Sequence, residues 1–189
     1  MKARILGNDF NRIMDATKQF CDTSTRHKEQ EYIRLDFDAE TQRVTAHACD
    51  GYRLSVEHSV IGSCDENFTV YIRGGFRLPK KQYATIEKIE NEVQIRCAGV
   101  LFGFKQPDNP NPFDYENVFP KEKPQFKIAF NGNYLLTALQ AAKISAGNTF
   151  RNPIILEFWG PLNPVVIHTN EDDAKLVLPM RTKETTEWK

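Results

Sequence analysis

Apolar residues recur at two different spacings along this chain, and together the two spacings predict an α+β fold. From Phe10 onward they recur every three or four residues, which predicts a helix with one buried face that Asn8 or Asp9 caps. In residues 2–6 and 33–56 they alternate with polar residues, as in antiparallel strands with one buried face. The apolar stripe of the predicted helix comprises Phe10, Ile13, Met14, Thr17, Phe20 and Cys21.

The same order of elements returns near the C-terminus. FKIAF (126–130) predicts a strand, residues 131–144 predict a helix capped by Asn131 or Asn133, and three apolar runs predict three further strands. Between these two parts, GGFRLPKK (74–81) occupies the place of a helix, which its glycines and proline disfavour. The pattern therefore predicts three related units of about 60 residues each.

A proline-rich segment, DNPNPFDYENVFPKEKP (108–124), separates the second predicted unit from the third. Its aromatic residues indicate that it packs against the protein rather than extending freely into solvent. We expect one domain of two units over residues 1–120, the second unit with a shortened or missing helix. Residues 121–189 are expected to form a third unit with a C-terminal tail.

Charge and cysteine content narrow the classes of function. Lys plus Arg (25) balance Asp plus Glu (25), which gives no sign of a strongly basic nucleic-acid reader. The four cysteines are far apart and lack metal-ligand spacing, so we interpret them as reduced thiols. No apolar run approaches the roughly 18 residues of a membrane span, and the N-terminus has no apolar signal segment. We expect a cytoplasmic protein without membrane contact.

Signatures of catalysis are missing from the sequence. It contains no glycine-rich phosphate loop, no GxSxG, no HExxH and no paired histidines. The acidic run NEDD (170–173) has the residue types that hold a cation, but a hairpin turn is the interpretation we favour. The sequence therefore predicts a protein that is not an enzyme, with no cofactor and no metal site.

Three segments resemble one known family when they are taken in order. HACDGYRL (47–54) resembles the ATDGHRL turn of the bacterial DNA polymerase III beta subunit, the sliding clamp. Residues 106–120 are similar to the family's Pro-Asp-Tyr and Val-Leu-Pro segment, and residues 131–181 to its last helix and its strands ending in Met-Pro-Met-Arg. The resemblance covers most of the chain and is weakest in the middle unit. It implies a DNA-clamp fold of repeated strand-helix-strands units, with antiparallel sheets and helices on one face.

The resemblance implies a ring that holds double-stranded DNA by enclosure and so keeps a polymerase on its template. Enclosure needs few close contacts, which agrees with the balanced charge. The family's helices line the hole, so the resemblance implies DNA-facing roles for Arg12 and Lys18 in the first helix and for Lys143 in the last. The alternative, that these are ordinary solvated helix residues, stays open.

The resemblance also implies a hydrophobic pocket that binds short peptides of DNA polymerase and other clamp-binding proteins. Leucine and methionine side chains would supply a pliable apolar surface, prolines a stiff rim, and arginines donors for peptide carbonyls or a carboxylate. The implied pocket residues are Cys49, Gly51, Tyr52, Arg53 and Leu54 from the turn, Pro120 from the connector, and Val177, Leu178, Pro179, Met180 and Arg181 from the last strand.

Two features depart from the family's pattern. Tyr52 replaces the family's usual histidine, which alters the rim of the implied pocket. After Arg181 the chain continues as TKETTEWK (182–189), where family members end almost at once. We hypothesise that Trp188 in this tail docks into the pocket of its own chain or of a neighbour, and a disordered tail end is the alternative.

The number of units bears on assembly. Rings of this family contain twelve units, from two chains in bacteria and from three chains in eukaryotes and archaea, so three units in each chain would require a ring of four chains. A homo-oligomer is expected on this count, with a monomer or a simple dimer as alternatives. A second class of function is a clamp-fold adaptor or decoy that binds replication proteins without encircling DNA. A third is an unrelated ligand-binding α+β protein.

Overall fold

A computed structural model describes residues 1–22, 28–108, 114–147 and 153–186. The chain divides into two compact units, Met1–Val118 and Phe119–Lys189. Among the described residues, no helix is both long enough and apolar enough to cross a membrane.

The first unit contains one α-helix and nine strands in its described part. Short 3-10 turns at Lys18–Phe20 and Lys28–Glu31 follow the helix. The elements are β1 (Lys2–Leu6), α1 (Gly7–Thr17), β2 (Ile33–Asp38), β3 (Arg43–Cys49), β4 (Leu54–Val60), β5 (Ser63–Cys64), β6 (Phe68–Ile72), β7 (Tyr83–Ile89), β8 (Glu92–Cys97) and β9 (Val100–Lys105).

Two antiparallel sheets make up this unit, and each sheet contains strands from both halves of the unit. The sheet orders are β4-β3-β2-β6 and β5-β1-β7-β8-β9. We call β1, α1 and β2 to β4 the first half, and β6, the loop 73–82 and β7 to β9 the second half. The leading strand of each half pairs with the other half: β1 pairs with β7, and β6 pairs with β2. The two halves are therefore interlocked through backbone hydrogen bonds.

The core of the first unit lies between the sheets and under α1, which packs on β4 and β3. In β2, every second residue points inward, and Ile33, Leu35 and Phe37 are all buried. Phe37 stacks on Phe68 of β6, with 4.6 Å between the ring centroids. Alternating apolar residues thus pair across the line where the two halves meet.

Helix α1 begins at Gly7 and has no side-chain cap, so the expected cap by Asn8 or Asp9 is wrong. Its first amides find acceptors in the loop 73–82 instead: Gly7 N–H donates to the Gln82 carbonyl (2.8 Å) and Asn8 N–H to the Lys80 carbonyl (3.0 Å). A Cβ at Gly7 would collide with the Pro79 carbonyl. This close approach explains both the glycine and the missing cap.

The second unit contains α2 (Gly132–Ala146), β10 (Ile155–Phe158), β11 (Val165–His168), β12 (Lys175–Val177) and a short α3 (Lys183–Thr186). Asn131 caps α2 by accepting the N–H groups of Asn133 and Tyr134, which confirms one of the two expected caps. The three strands form one antiparallel sheet in the order β10-β11-β12, with α2 packed on β11 and β12. The acidic run 170–173 lies in the turn between β11 and β12.

The segment FKIAF (126–130) is not a regular strand, so that expectation is wrong. It makes a single β-bridge, between Ala129 and Met180. In the part of the chain that the structure describes, no strand pairs with the outer edge of β10. The alternation in FKIAF is typical of a strand, but among the described residues the segment forms only this one bridge and no longer run of paired residues.

Candidate peptide-binding and DNA-facing surfaces

The turn between β3 and β4 is held by the side chain of Asp50. Its Oδ1 accepts the N–H groups of Tyr52 (3.0 Å) and Arg53 (2.8 Å). Gly51 adopts a φ of 86°, in the left-handed region that favours glycine. These local bonds give the Asp-Gly pair the chain-reversing role that its sequence predicts.

Arg53 is fixed to the body of the first unit. Its guanidinium bonds Asp50 Oδ2 through both Nε (2.9 Å) and Nη2 (2.6 Å), and Nη2 also donates to the Gln19 carbonyl (3.2 Å). The group lies over the Phe20 ring, 5.3 Å from its centroid. The hydrogen bond from Arg53 holds the pKa of Asp50 below its ordinary value. More than half of the Arg53 side chain stays exposed, so it retains donors for a ligand.

The remaining turn residues present one aromatic side chain to solvent. Tyr52 is 94% exposed. Cys49 and Leu54 are half-buried and lie opposite each other at the ends of β3 and β4. A large exposed aromatic ring on a hydrogen-bonded turn is a feature of binding surfaces.

Of the pocket residues expected in the last strand, only Val177 lies in β12, and the expectation is wrong for Leu178 to Arg181, which follow the strand in the second unit. Val177 is buried in its core, whereas Leu178 is 66% and Met180 47% exposed. Pro179 is half-buried, and Met180 N–H donates to the Ala129 carbonyl (2.7 Å). Pro120, also in this unit, and Arg181 are exposed. Trp188, the residue of the docking hypothesis, lies outside the described residues.

A cleft that the sequence did not predict lies beside these residues. It has a volume of about 660 Å³. Backbone bonding brings its two walls together, because Ala129 bridges to Met180 just before the second wall begins. The lining residues are Lys127, Ile128, Ala129, Thr182, Lys183 and Thr185.

The two candidate DNA-facing cations expected in the first helix both have acidic partners, and Lys18 lies in the 3-10 turn that follows α1 rather than in the helix itself. Arg12 Nη1 bonds Glu57 Oε2 (2.8 Å), and its Nη2 donates to the His58 carbonyl (2.6 Å). Lys18 Nζ donates to Asp15 Oδ1 (2.6 Å), and this bond lowers the pKa of Asp15. Much of the positive charge on α1 and on the turn after it is therefore balanced locally. Lys143, on α2, is exposed.

A buried histidine of the first unit went unrecognised in the sequence. His47 is 3% exposed, its Nδ1 lies 3.8 Å from Asp36 Oδ2, and its ring contacts Tyr115 at a centroid distance of 4.7 Å. Burial lowers the pKa of His47, the Asp36 charge opposes that shift, and the Arg34 charge adds to it. His47 lies between two inward-facing alanines of β3, so its own side chain is on the outer face, which the connector residue Tyr115 covers.

Solved structures of bacterial sliding clamps are similar to this chain. The DNA polymerase sliding clamp of Bacillus subtilis has a TM-score of 0.69 at 17% identity, over 96% of this chain and 64% of that one. The Helicobacter pylori beta clamp bound to a DNA ligase peptide has a TM-score of 0.65 at 16% identity, over 97% and 54%. The DNA polymerase III beta chain of Streptococcus pneumoniae has a TM-score of 0.77 at 14% identity, over 96% and 50%.

The chain spans less than two thirds of the length of each of these three clamps. No protein-family model and no curated protein matches it. The structural similarity nevertheless covers nearly all of its residues and confirms the fold that the three motifs implied. This chain has the α+β fold of the bacterial DNA polymerase III beta subunits, the sliding clamps.

Proposed function

We propose that this protein is a sliding-clamp-like processivity factor that encircles double-stranded DNA and holds replication proteins on it. The observation that carries the proposal is the similarity to bacterial clamps over at least 96% of the chain, with TM-scores from 0.65 to 0.77. The protein is proposed to act without catalysis or cofactors, and as a homo-oligomer.

Enclosure is the mode of DNA binding that suits the charges of this chain. Arg12 and Lys18 are each paired with a carboxylate and stay partly exposed, so they offer only weak attraction for phosphates. Lys143 is exposed and is the third proposed DNA-facing residue. A ring that holds DNA topologically works with such weak contacts, whereas a groove binder does not.

Partner binding is proposed to use the exposed apolar side chains near the turn and the last strand. Tyr52, Leu178 and Met180 expose large apolar surfaces that a peptide would cover. One similar clamp was solved with a DNA ligase peptide bound. We propose that replication proteins, DNA polymerase among them, present a peptide of this kind to the turn residues, Pro120 and residues 177–181.

The second candidate function is an adaptor with the clamp fold that binds replication proteins but does not encircle DNA. The pairing of Arg12 and Lys18 with carboxylates favours it, because it leaves little uncompensated positive charge on α1 and the turn after it to attract DNA. Peptide binding is common to both functions, so only DNA topology separates them.

Retention on circular DNA tests the proposed function. The protein is incubated with a nicked circular duplex, and bound protein is separated from free protein by gel filtration in rising salt. A ring is expected to stay on the circle at salt concentrations that abolish phosphate contacts, and to leave when a single cut linearises the DNA. Equal retention on circular and linear DNA, or none on either, would contradict enclosure and favour the adaptor.

A further inference from the structure

The second unit repeats the first half of the first unit in sequence as well as in fold. KARILGNDF (2–10) aligns with KIAFNGNYL (127–135), so that Lys, Gly and Asn recur at the same places before and within the helix. IRLDF (33–37) aligns with IILEF (154–158), with Ile, Leu and Phe at the same alternate places. The core-facing residues of the helices correspond as well: Phe10, Ile13, Met14 and Thr17 match Leu135, Ala138, Leu139 and Ala142.

Among its described residues, the second unit contains no strands that correspond to the second half of the first unit. Leu35 and Phe37 are 0% and 2% exposed because β6 of the second half flanks β2. Their counterparts Leu156 and Phe158 are 40% and 43% exposed, and the outer edge of β10 pairs with no strand among the described residues. An open edge with apolar side chains beside it is a site for strand addition.

The helix shows the same difference. Asn11 is buried because the second half meets it: its side chain donates to the Leu78 carbonyl (2.8 Å) and accepts the Leu78 N–H (2.9 Å). By the alignment its counterpart in α2 is Leu136, which is 55% exposed. A leucine in this position suits an apolar partner rather than a polar loop.

We propose that the second units of two copies of this chain complete each other by exchanging their leading segments. Residues 126–130 of each copy pair in antiparallel fashion with β10 of the other, as β6 pairs with β2 inside the first unit. The interface is isologous, so one two-fold axis relates both exchanged segments. The inference rests on the fold and on the internal repeat, and it does not depend on DNA or peptide binding.

The register follows from the first unit. There Phe68, Val70 and Ile72 lie opposite Phe37, Leu35 and Ile33. FKIAF has the same alternation of apolar residues as β6, whose sequence is FTVYI. In the exchanged pair, Phe126 therefore lies opposite the partner's Phe158. Ile128 lies opposite the partner's Leu156, and Phe130 lies opposite the partner's Ile154. In the single chain, Phe126 only partly covers Phe158, at a ring-centroid distance of 6.3 Å.

Charge complementarity supports this register. In the first unit, Lys2 of the leading strand lies directly opposite Glu87 of β7. The alignment places Lys127 where Lys2 stands, and the register places it opposite the partner's Glu157. Opposite charges in directly opposed strand positions are favourable, and like charges there are unfavourable. A one-residue shift would lose this pair and turn the apolar side chains outward.

Charge exchange between two copies tests the proposal. Sedimentation equilibrium of the full chain is expected to show a dimer or a multiple of it. Lys127→Glu and Glu157→Lys are each expected to raise the dissociation constant about tenfold, because every dimer contains the pair twice. An equimolar mixture of the two variants is expected to regain the wild-type dissociation constant, since each mixed dimer contains two opposite-charge pairs.

Lys123→Glu is the matched control, because it changes the same charge on an exposed residue outside the exchanged segment. It is expected to leave association unchanged, and circular dichroism checks that all variants are folded. A wild-type chain that stays monomeric at every concentration overturns the proposal. The proposal is also overturned if neither charge change alters the dissociation constant of the dimer. It is overturned as well if the mixture of the two variants does not regain the wild-type dissociation constant.

Discussion

At the scale of single residues, His47 makes a pH-dependent contribution to the free energy of unfolding. It is buried between Asp36 and the Tyr115 ring, and its pKa is lowered mainly by burial. The unfolded chain therefore takes up a proton at higher pH than the folded chain does. The contribution of His47 to the free energy of unfolding is fully present above its ordinary pKa of about 6.5. It is lost as the pH falls through the lower pKa of the folded state.

Replacing His47 with phenylalanine should remove this dependence, because the ring stays against Tyr115 but no longer takes up a proton. Urea unfolding at several pH values between 5 and 8 measures it. The wild type is expected to lose stability as the pH falls, and His47→Phe to lose less. His58→Gln, at an exposed position on β4, is the control and should respond to pH like the wild type. If His47→Phe loses as much stability as the wild type when the pH falls, His47 is not the cause of the pH dependence.

Local sequence predicted one helix cap and missed the other, for a physical reason. Asn131 caps α2 with its own side chain, so the signal lies within three residues of the helix start. The first amides of α1 are satisfied by carbonyls of Lys80 and Gln82, more than seventy residues away in sequence. His47 was missed in the same way, because only the fold brings Tyr115 onto its strand.

At the scale of elements, alternation predicted most strands, but it could not supply their partners. KARIL became a strand because β7 and β5 flank it. FKIAF has the same alternation and stays irregular in one chain, where it makes a single bridge. The clamp fold itself was recognisable from three short motifs, since turns and strand ends carry distinctive residues. The roles of the pocket residues and of the three cations Arg12, Lys18 and Lys143 stay predictions.

The exposed segment that follows the last strand gives a prediction at this scale. Leu178→Ser should weaken binding of a fluorescent clamp-binding peptide, because the lost apolar contact is worth about 2 kcal/mol. That corresponds to a dissociation constant about 30-fold higher in an anisotropy titration. Leu101→Ser, at a leucine of similar exposure on β9, is the matched control and should bind normally. Equal affinities for the two variants would remove Leu178 from the peptide site.

At the scale of the whole molecule, the count of halves connects the fold to assembly. Each chain supplies two halves in its first unit and elements of one more in its second. If the second units pair as proposed, two chains supply three complete pairs of halves: one pair in each first unit, and a third formed by the two second units. Four chains would then supply the twelve units of a sliding-clamp ring.

Electron microscopy of the assembled protein tests the central claim, enclosure of DNA, most directly. Particles are imaged at a concentration where sedimentation shows full assembly, with and without a short duplex. We expect closed rings with a central hole wide enough for duplex DNA, and density through that hole when the duplex is present. Fully assembled particles without a hole, or a duplex bound only to the outside, would contradict the account.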